Sequence, residues 1–203
     1  MTTGSKIVLT AGLIVVAGAV AAGGWFIQQG FSAKDEPSAL EVAIARWVRN
    51  LSVPGDQREA KNPVASSPDV LARARAHFAD HCATCHGNDG SGKTQIGRNL
   101  YPKPPDLRRV DTQSLSDGEL FYIIHNGIRF TGMPAWGTGP PEEDRGSWEL
   151  VHFIRHLPAL TPAELAEMKS LNPKTPRELE YERESRQFLD GAEGEAEPPT
   201  HQH

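Results

Sequence analysis

The chain has 203 residues, room for one domain with appendages or two small ones, and its 38% hydrophobic and 23% charged content suits a soluble body with extra material at both ends. The net charge of −5 gathers at the C-terminal end: residues 1–67 hold six bases against five acids, residues 68–158 ten against eleven, and residues 159–203 five against ten. This distribution leaves no basic surface for a nucleic-acid partner, and two cysteines exclude a disulfide framework of the kind that staples small secreted domains.

Residues 7–27 carry no charged side chain and only Thr10 as a hydroxyl, a run about long enough to cross a ~30 Å hydrocarbon core as a helix. Lys6 and the amino terminus lie on its near side, which orients the N-terminus toward the cytoplasm and the remainder outward. A cleaved signal is the competing reading, because Ala19, Val20 and Ala21 resemble a small-residue cleavage site. Trp25, Phe26 and Ile27 prolong the apolar run and suit the outer interface of a true span, so an uncleaved anchor over residues 1–30 is preferred. Ser38 and Glu41 form a capping box that opens a helix over about 39–51, with Leu40, Ile44, Trp47, Val48 and Leu51 on one face. That face is expected to pack on the body as a strut; the membrane surface or a partner helix are the alternatives. Pro54, Gly55, Pro63 and a small-polar run make residues 52–67 a linker, so that 31–67 form a juxtamembrane helix and linker.

The folded body is expected over residues 68–158. Ser67 as N-cap and Pro68 at the first helical position open a helix whose inward stripe is Val70, Leu71, Ala74, Phe78 and Cys82. The helix runs into Cys82-Ala83-Thr84-Cys85-His86, a C-x-x-C-H pattern in which two thiols can add to the vinyl groups of one haem and the imidazole can face its iron. A thioredoxin-like couple would need a βαβ setting, whereas loop-forming Gly87 to Gly92 follow; a structural zinc site would need a second ligand pair at short spacing. Pro102, Pro104 and Pro105 then form a stiff irregular wall, and the Pro104 carbonyl is the candidate acceptor for the Nδ1 proton of His86. A second capping box, Ser116 with Glu119, starts a helix that stops near Gly127.

Met133 follows in a turn pinned by Gly132 and Pro134 and is the candidate for the second axial position; as an isolated methionine it would simply fill a core. Met1 belongs to the anchor, and Met168 is expected on a polar helix beyond the body. His77 and His81 lie too near the motif to cross the ring, and His125 is a packing or surface histidine with a minor claim as a ligand. His152 and His156 are expected on a solvated helix face, since two ligands make no metal site. In the extension, residues 159–203, Thr161-Pro162-x-Glu164 and Thr175-Pro176-x-Glu178 repeat one cap signature, so two short helices should follow. The second, to about Leu189, is polar enough to lie along the surface or extend free, and residues 190–203 read as disordered, with His201 and His203 a weak copper or nickel pair.

Cys82 to His86, the proline run from Pro102 to Leu107, Met133 with Pro134, and a last helix bearing Trp148, Val151, Ile154 and Leu157 together resemble a class I c-type cytochrome of the monohaem bacterial kind. The resemblance covers about residues 68–158 and implies an all-α fold around one covalent haem c, with N- and C-terminal helices crossing and the haem edge partly exposed. The expected role is one-electron transfer by a His86/Met133-ligated haem iron, as a carrier and not an enzyme, in a protein held by residues 7–27 in the inner membrane with its body in the periplasm. Its partners are then redox proteins acting as donor and acceptor. The alternatives are a haem c subunit of a membrane oxidase, reductase or dehydrogenase complex, favoured by the appendages, and a haem sensor or peroxidase in which Met133 dissociates.

Overall fold

The computed structural model describes residues 3–28, 30 and 32–189; the terminal stretch with His201 and His203 lies outside them. Every regular element among the described residues is helical. Helix α1, Thr3–Gln28, has 26 residues and so measures about 39 Å, longer than a hydrocarbon core is thick, and each of its described side chains is exposed. It fits a transmembrane helix.

Helix α2, Ala39–Ser52, begins at the expected capping box: the Ser38 backbone N–H donates to Glu41 Oε2 at 2.7 Å and the Glu41 N–H donates to Ser38 Oγ at 3.3 Å. Its apolar stripe does not face the body. Leu40, Ile44, Trp47, Val48 and Leu51 are all more than half exposed, and the helix meets the body through its polar edge instead. Tyr101 donates its hydroxyl proton to Glu41 Oε1 at 2.8 Å, and Arg46 pairs with Asp111 at 2.8 Å. The strut is therefore held by polar contacts and turns its apolar side outward.

The stretch expected to be a linker is packed. Short helix α3, Gly55–Glu59, lies against α7, Asp117–Asn126, so closely that Gly118 has no room for a Cβ beside the Gln57 carbonyl. Val53 and Val64 are buried, Asn62 donates to the Trp148 carbonyl at 2.9 Å, and the Ser116 hydroxyl donates to the Arg58 carbonyl at 2.7 Å. Pro54, Gly55 and Pro63 shape an irregular path, but irregular backbone with buried valines and satisfied polar groups is part of a core, not a tether.

Helix α4, Pro68–His77, is capped by Ser67, whose Oγ accepts from the Val70 N–H at 3.2 Å. One π-helical turn, Phe78–Cys82, continues it into α5, Ala83–His86. After an irregular segment come α6, Val110–Gln113, then α7, and then α8, Arg145–His156. Helices α4 and α8 form the principal packing pair, the N- and C-terminal helices of the body. Phe78 meets Phe153 with ring centroids 5.1 Å apart, and Trp148 stacks on Phe121 at 4.1 Å and 11°. Glu149 is buried among them as a carboxylate because Arg73 at 2.7 Å and Arg145 at 2.9 Å neutralise it; hydrogen bonding to Arg73 first, outweighing burial, holds it below the usual carboxylate range.

Two expectations about the last third are corrected. Helix α9, Pro162–Leu171, packs on α4 and the π turn, and Met168 is fully buried in the core instead of lying on a polar helix beyond it. The polar look of α9 comes from Glu164 and Glu167, which both pair with Arg75 of α4, at 3.1 and 2.7 Å. His152 and His156 do not form a solvated face either. The first ring binds the Val64 carbonyl through Nε2 at 2.7 Å and the second binds Glu164 Oε1 at 2.9 Å, so they clamp the segments before and after the body. Helix α10, Pro176–Leu189, has its Thr175 cap, with the Thr175 N–H on Glu178 Oε2 at 2.7 Å, and its described side chains are largely exposed.

Candidate functional site

The π turn and α5 carry the C-x-x-C-H residues to the wall of an apolar cleft of about 1100 Å³, counted to its open mouth. Phe78, Leu107, Leu115, Leu120, Ile124 and Ile154 are among its walls. Cys82, Cys85, His86, Pro104 and Met133, all singled out from sequence, line this one space. The two cysteines are free and not joined in a disulfide.

The backbone after His86 is fixed by its own hydrogen bonds. The Gly92 N–H donates to the His86 carbonyl at 2.7 Å, Thr94 Oγ1 donates to the Cys85 carbonyl at 3.2 Å, and the Leu107 N–H donates to the Gly90 carbonyl at 2.8 Å. The glycine turn and the proline wall thus lie face to face, and the Pro104 carbonyl presses on Gly92, where a Cβ would collide with it. His86 Nδ1 is buried and makes no hydrogen bond, so the expected bond to the Pro104 carbonyl is not formed in this structure.

The Met133 loop is tied to the end of α7. The Ile128 N–H donates to the Met133 carbonyl at 3.1 Å, the Met133 N–H donates to Thr131 Oγ1 at 3.1 Å, and the Trp136 N–H reaches back to the Ile124 carbonyl at 3.1 Å. Met133 is half-buried against the core, not sealed in it. His125 sits outside the cleft lining: its Nδ1 is 2.7 Å from Asp144 Oδ2 and its ring stacks on Phe121 at 5.4 Å, a packing histidine.

Burial governs the charges here. It depresses the His86 imidazole to about 4, so the ring is neutral near pH 7 with a lone pair free for a metal ion. It pushes the Cys82 thiol up to about 12, with Cys85 adding to the effect, and raises Cys85 as well. A neutral imidazole, an orphaned buried ring nitrogen, two free thiols and a thioether in an apolar cleft form a donor set that fits haem c.

Sequence reasoning missed three residues at this site. His81 stacks on Trp136 at 5.4 Å and 28°, and both line the cleft beside the motif. Arg49 reaches the cleft from α2. The i to i+4 spacing of His77 and His81 marks a shared helical face, but nothing in the sequence pairs either with Trp136, and Arg49 is one of several basic residues on an amphipathic helix.

Residues 69–154 match the family model described as cytochrome C oxidase, cbb3-type, subunit III, which covers less than half of the chain. No curated protein matches it. Taken with the all-helical body and the C-x-x-C-H cleft, that match makes residues 69–154 a c-type cytochrome domain of the class I fold, a unit for haem-based electron transfer.

Proposed function

We propose that this protein is a membrane-anchored one-electron carrier with a single haem c bound through Cys82 and Cys85 and coordinated by His86 and Met133. The observation that carries the reading is the convergence of those four side chains, from the π turn, α5 and the loop after α7, on one apolar cleft. Haem supplies, when bound, an Fe(III)/Fe(II) couple. The chain's own residues set its conditions: the cysteines retain the cofactor in an exported protein, the neutral His86 offers its lone pair, and the Met133 thioether favours the reduced state. With His86 and Met133 both holding the iron, the site would offer no open position to oxygen or peroxide, which would disfavour a sensor or peroxidase. The carrier domain is taken as residues 68–158, extended by the packed segment from Val53 to Val64.

On this reading α1 is the anchor, and Lys6 with the amino terminus on its near side supports a domain at the outer face of the inner membrane. Ten residues separate Gln28 from Ala39, so α2 starts within about 40 Å of the end of α1. Its outward stripe, with Trp47 at its centre, is suited to the lipid interface.

The test is the optical spectrum of the full-length, haem-loaded protein beside a Met133→Ala variant. The weak long-wavelength band of ferric iron–thioether coordination is expected in the wild type and lost in the variant. Its absence from the wild type would remove Met133 from the site. A second reading, a haem subunit of a larger oxidase complex, is supported by the name of the matching family. Purification in mild detergent separates the two, because a carrier emerges alone.

A further inference from the structure

The α2 helix lies outside residues 69–154, yet it contributes Arg49 to the cleft wall. Around this wall Arg46 pairs with Asp111 at 2.8 Å and Arg58 pairs with Glu119 at 3.2 Å. Lys103 meets no carboxylate among the described residues, but its Nζ donates to the carbonyls of Ala33 and Arg98 at 2.7 and 2.8 Å. Arg49 has neither a carboxylate nor a backbone carbonyl. Among the described residues its guanidinium meets no carboxylate within ion-pair distance; its hydrogen bonds are long ones, 3.4 and 3.2 Å, to the amide oxygen of neighbouring Asn50. It is half-buried, and burial, followed by repulsion from Arg46, lowers its pKa, with Glu119 and Asp111 opposing from a distance.

A desolvated arginine without an anion is an unbalanced charge, and such a group is retained where a ligand brings the counter-charge. The ligand of this cleft carries two carboxylates on one edge. We propose that Arg49 binds a carboxylate of the haem, so that α2 completes the cofactor site of a domain whose matched region begins twenty residues later. The planar guanidinium suits a carboxylate through paired N–H donors. The proposal rests on haem c occupying the cleft.

Potentiometric titration of the full-length haem-loaded protein, across about pH 5 to pH 8, tests it. With Arg49 present the carboxylate stays ionised over that window, and the reduction potential is flat. In Arg49→Gln the carboxylate takes up a proton at the acidic end, so the potential falls as pH rises and the ionised group comes to favour ferric iron. Arg49→Lys should restore part of the flatness, and Arg46→Gln should match the wild type. A profile for Arg49→Gln that runs parallel to the wild type at every pH overturns the contact, since a distant charge would shift the potential uniformly. The intact iron–thioether band in each variant shows that the fold has survived. Wild-type protein without covalent haem on a denaturing gel would instead sink the haem reading itself.

Discussion

Helix α8 buries Trp148, Leu150, Val151, Phe153 and Ile154, none more than 7% exposed, whereas the comparably amphipathic α2 leaves Leu40, Ile44, Trp47, Val48 and Leu51 between 51 and 69% exposed. Both helices are amphipathic, and both contact the body. The difference lies in which side makes the contact: α8 is seated by its stripe and α2 by Glu41, Arg46 and Arg49 on the other side. A hydrophobic stripe therefore identifies a helix and an apolar partner for it without saying that the partner is the same chain.

The contrast is sharpest in stability. Phe153→Ala removes a fully buried ring from the α4–α8 contact and should cost about 4 kcal/mol in urea unfolding of the haem-loaded protein. Trp47→Ala, at a larger but exposed side chain, should stay within about 0.5 kcal/mol of wild type. A Trp47 cost approaching that of Phe153 would mean that the α2 stripe folds onto the body.

The same contrast recurs between α9 and α10, which begin with one signature. Met168→Ala should cost about 3 kcal/mol because the side chain is fully buried, whereas removing the chain after Thr175 should change stability by less than about 0.5 kcal/mol. Glu164 adds an acid dependence. Burial raises its pKa, but the Thr161 backbone and side chain and then His156 outweigh that and hold it at about 2, against an ordinary 4.5. A depressed carboxylate stabilises the fold fully above its unfolded value and loses that contribution as pH falls through its folded one. Unfolding midpoints should accordingly drop between about pH 4.5 and pH 2 in the wild type, and drop less in Glu164→Gln, which starts about 1 kcal/mol lower because it loses the charge pairing with Arg75 and His156.

Local signals were legible and long-range partners were not. The caps at Ser38, Ser67, Ser116 and Thr161, the C-x-x-C-H run and the glycine stop at 127 each depend on neighbours within a few residues, and each lies where the sequence puts it. Met168, His152, His156 and the segment from Val53 to Val64 were misjudged because what covers or binds them is far away in the chain: Arg75 turns the polar face of α9 into an inward one, and His152 finds the Val64 carbonyl 88 residues back. The cleft was readable in its chemistry, through Cys82, Cys85, His86 and Met133, but not in its walls; Arg49 and the His81–Trp136 stack arise only once α2 and the Met133 loop are folded against it.

The smallest effect on stability carries the most information about α2. In proteoliposomes, a full-length variant keeping Trp47 but with Trp25, Trp136 and Trp148 changed to Phe reports on one side chain in the stripe. If α2 lies in the interface, about 5–10 Å into the headgroup and acyl boundary, quenchers carried on the upper part of the acyl chain should extinguish its emission more strongly than quenchers at the chain end. Haem quenching lowers the signal equally in both samples and leaves their ratio intact. Ile44→Glu, on the same face and half exposed, should lift Trp47 out of reach without altering urea unfolding, because the body never covered that face. Emission untouched by either quencher would leave the stripe to a protein partner and bring the complex-subunit reading forward.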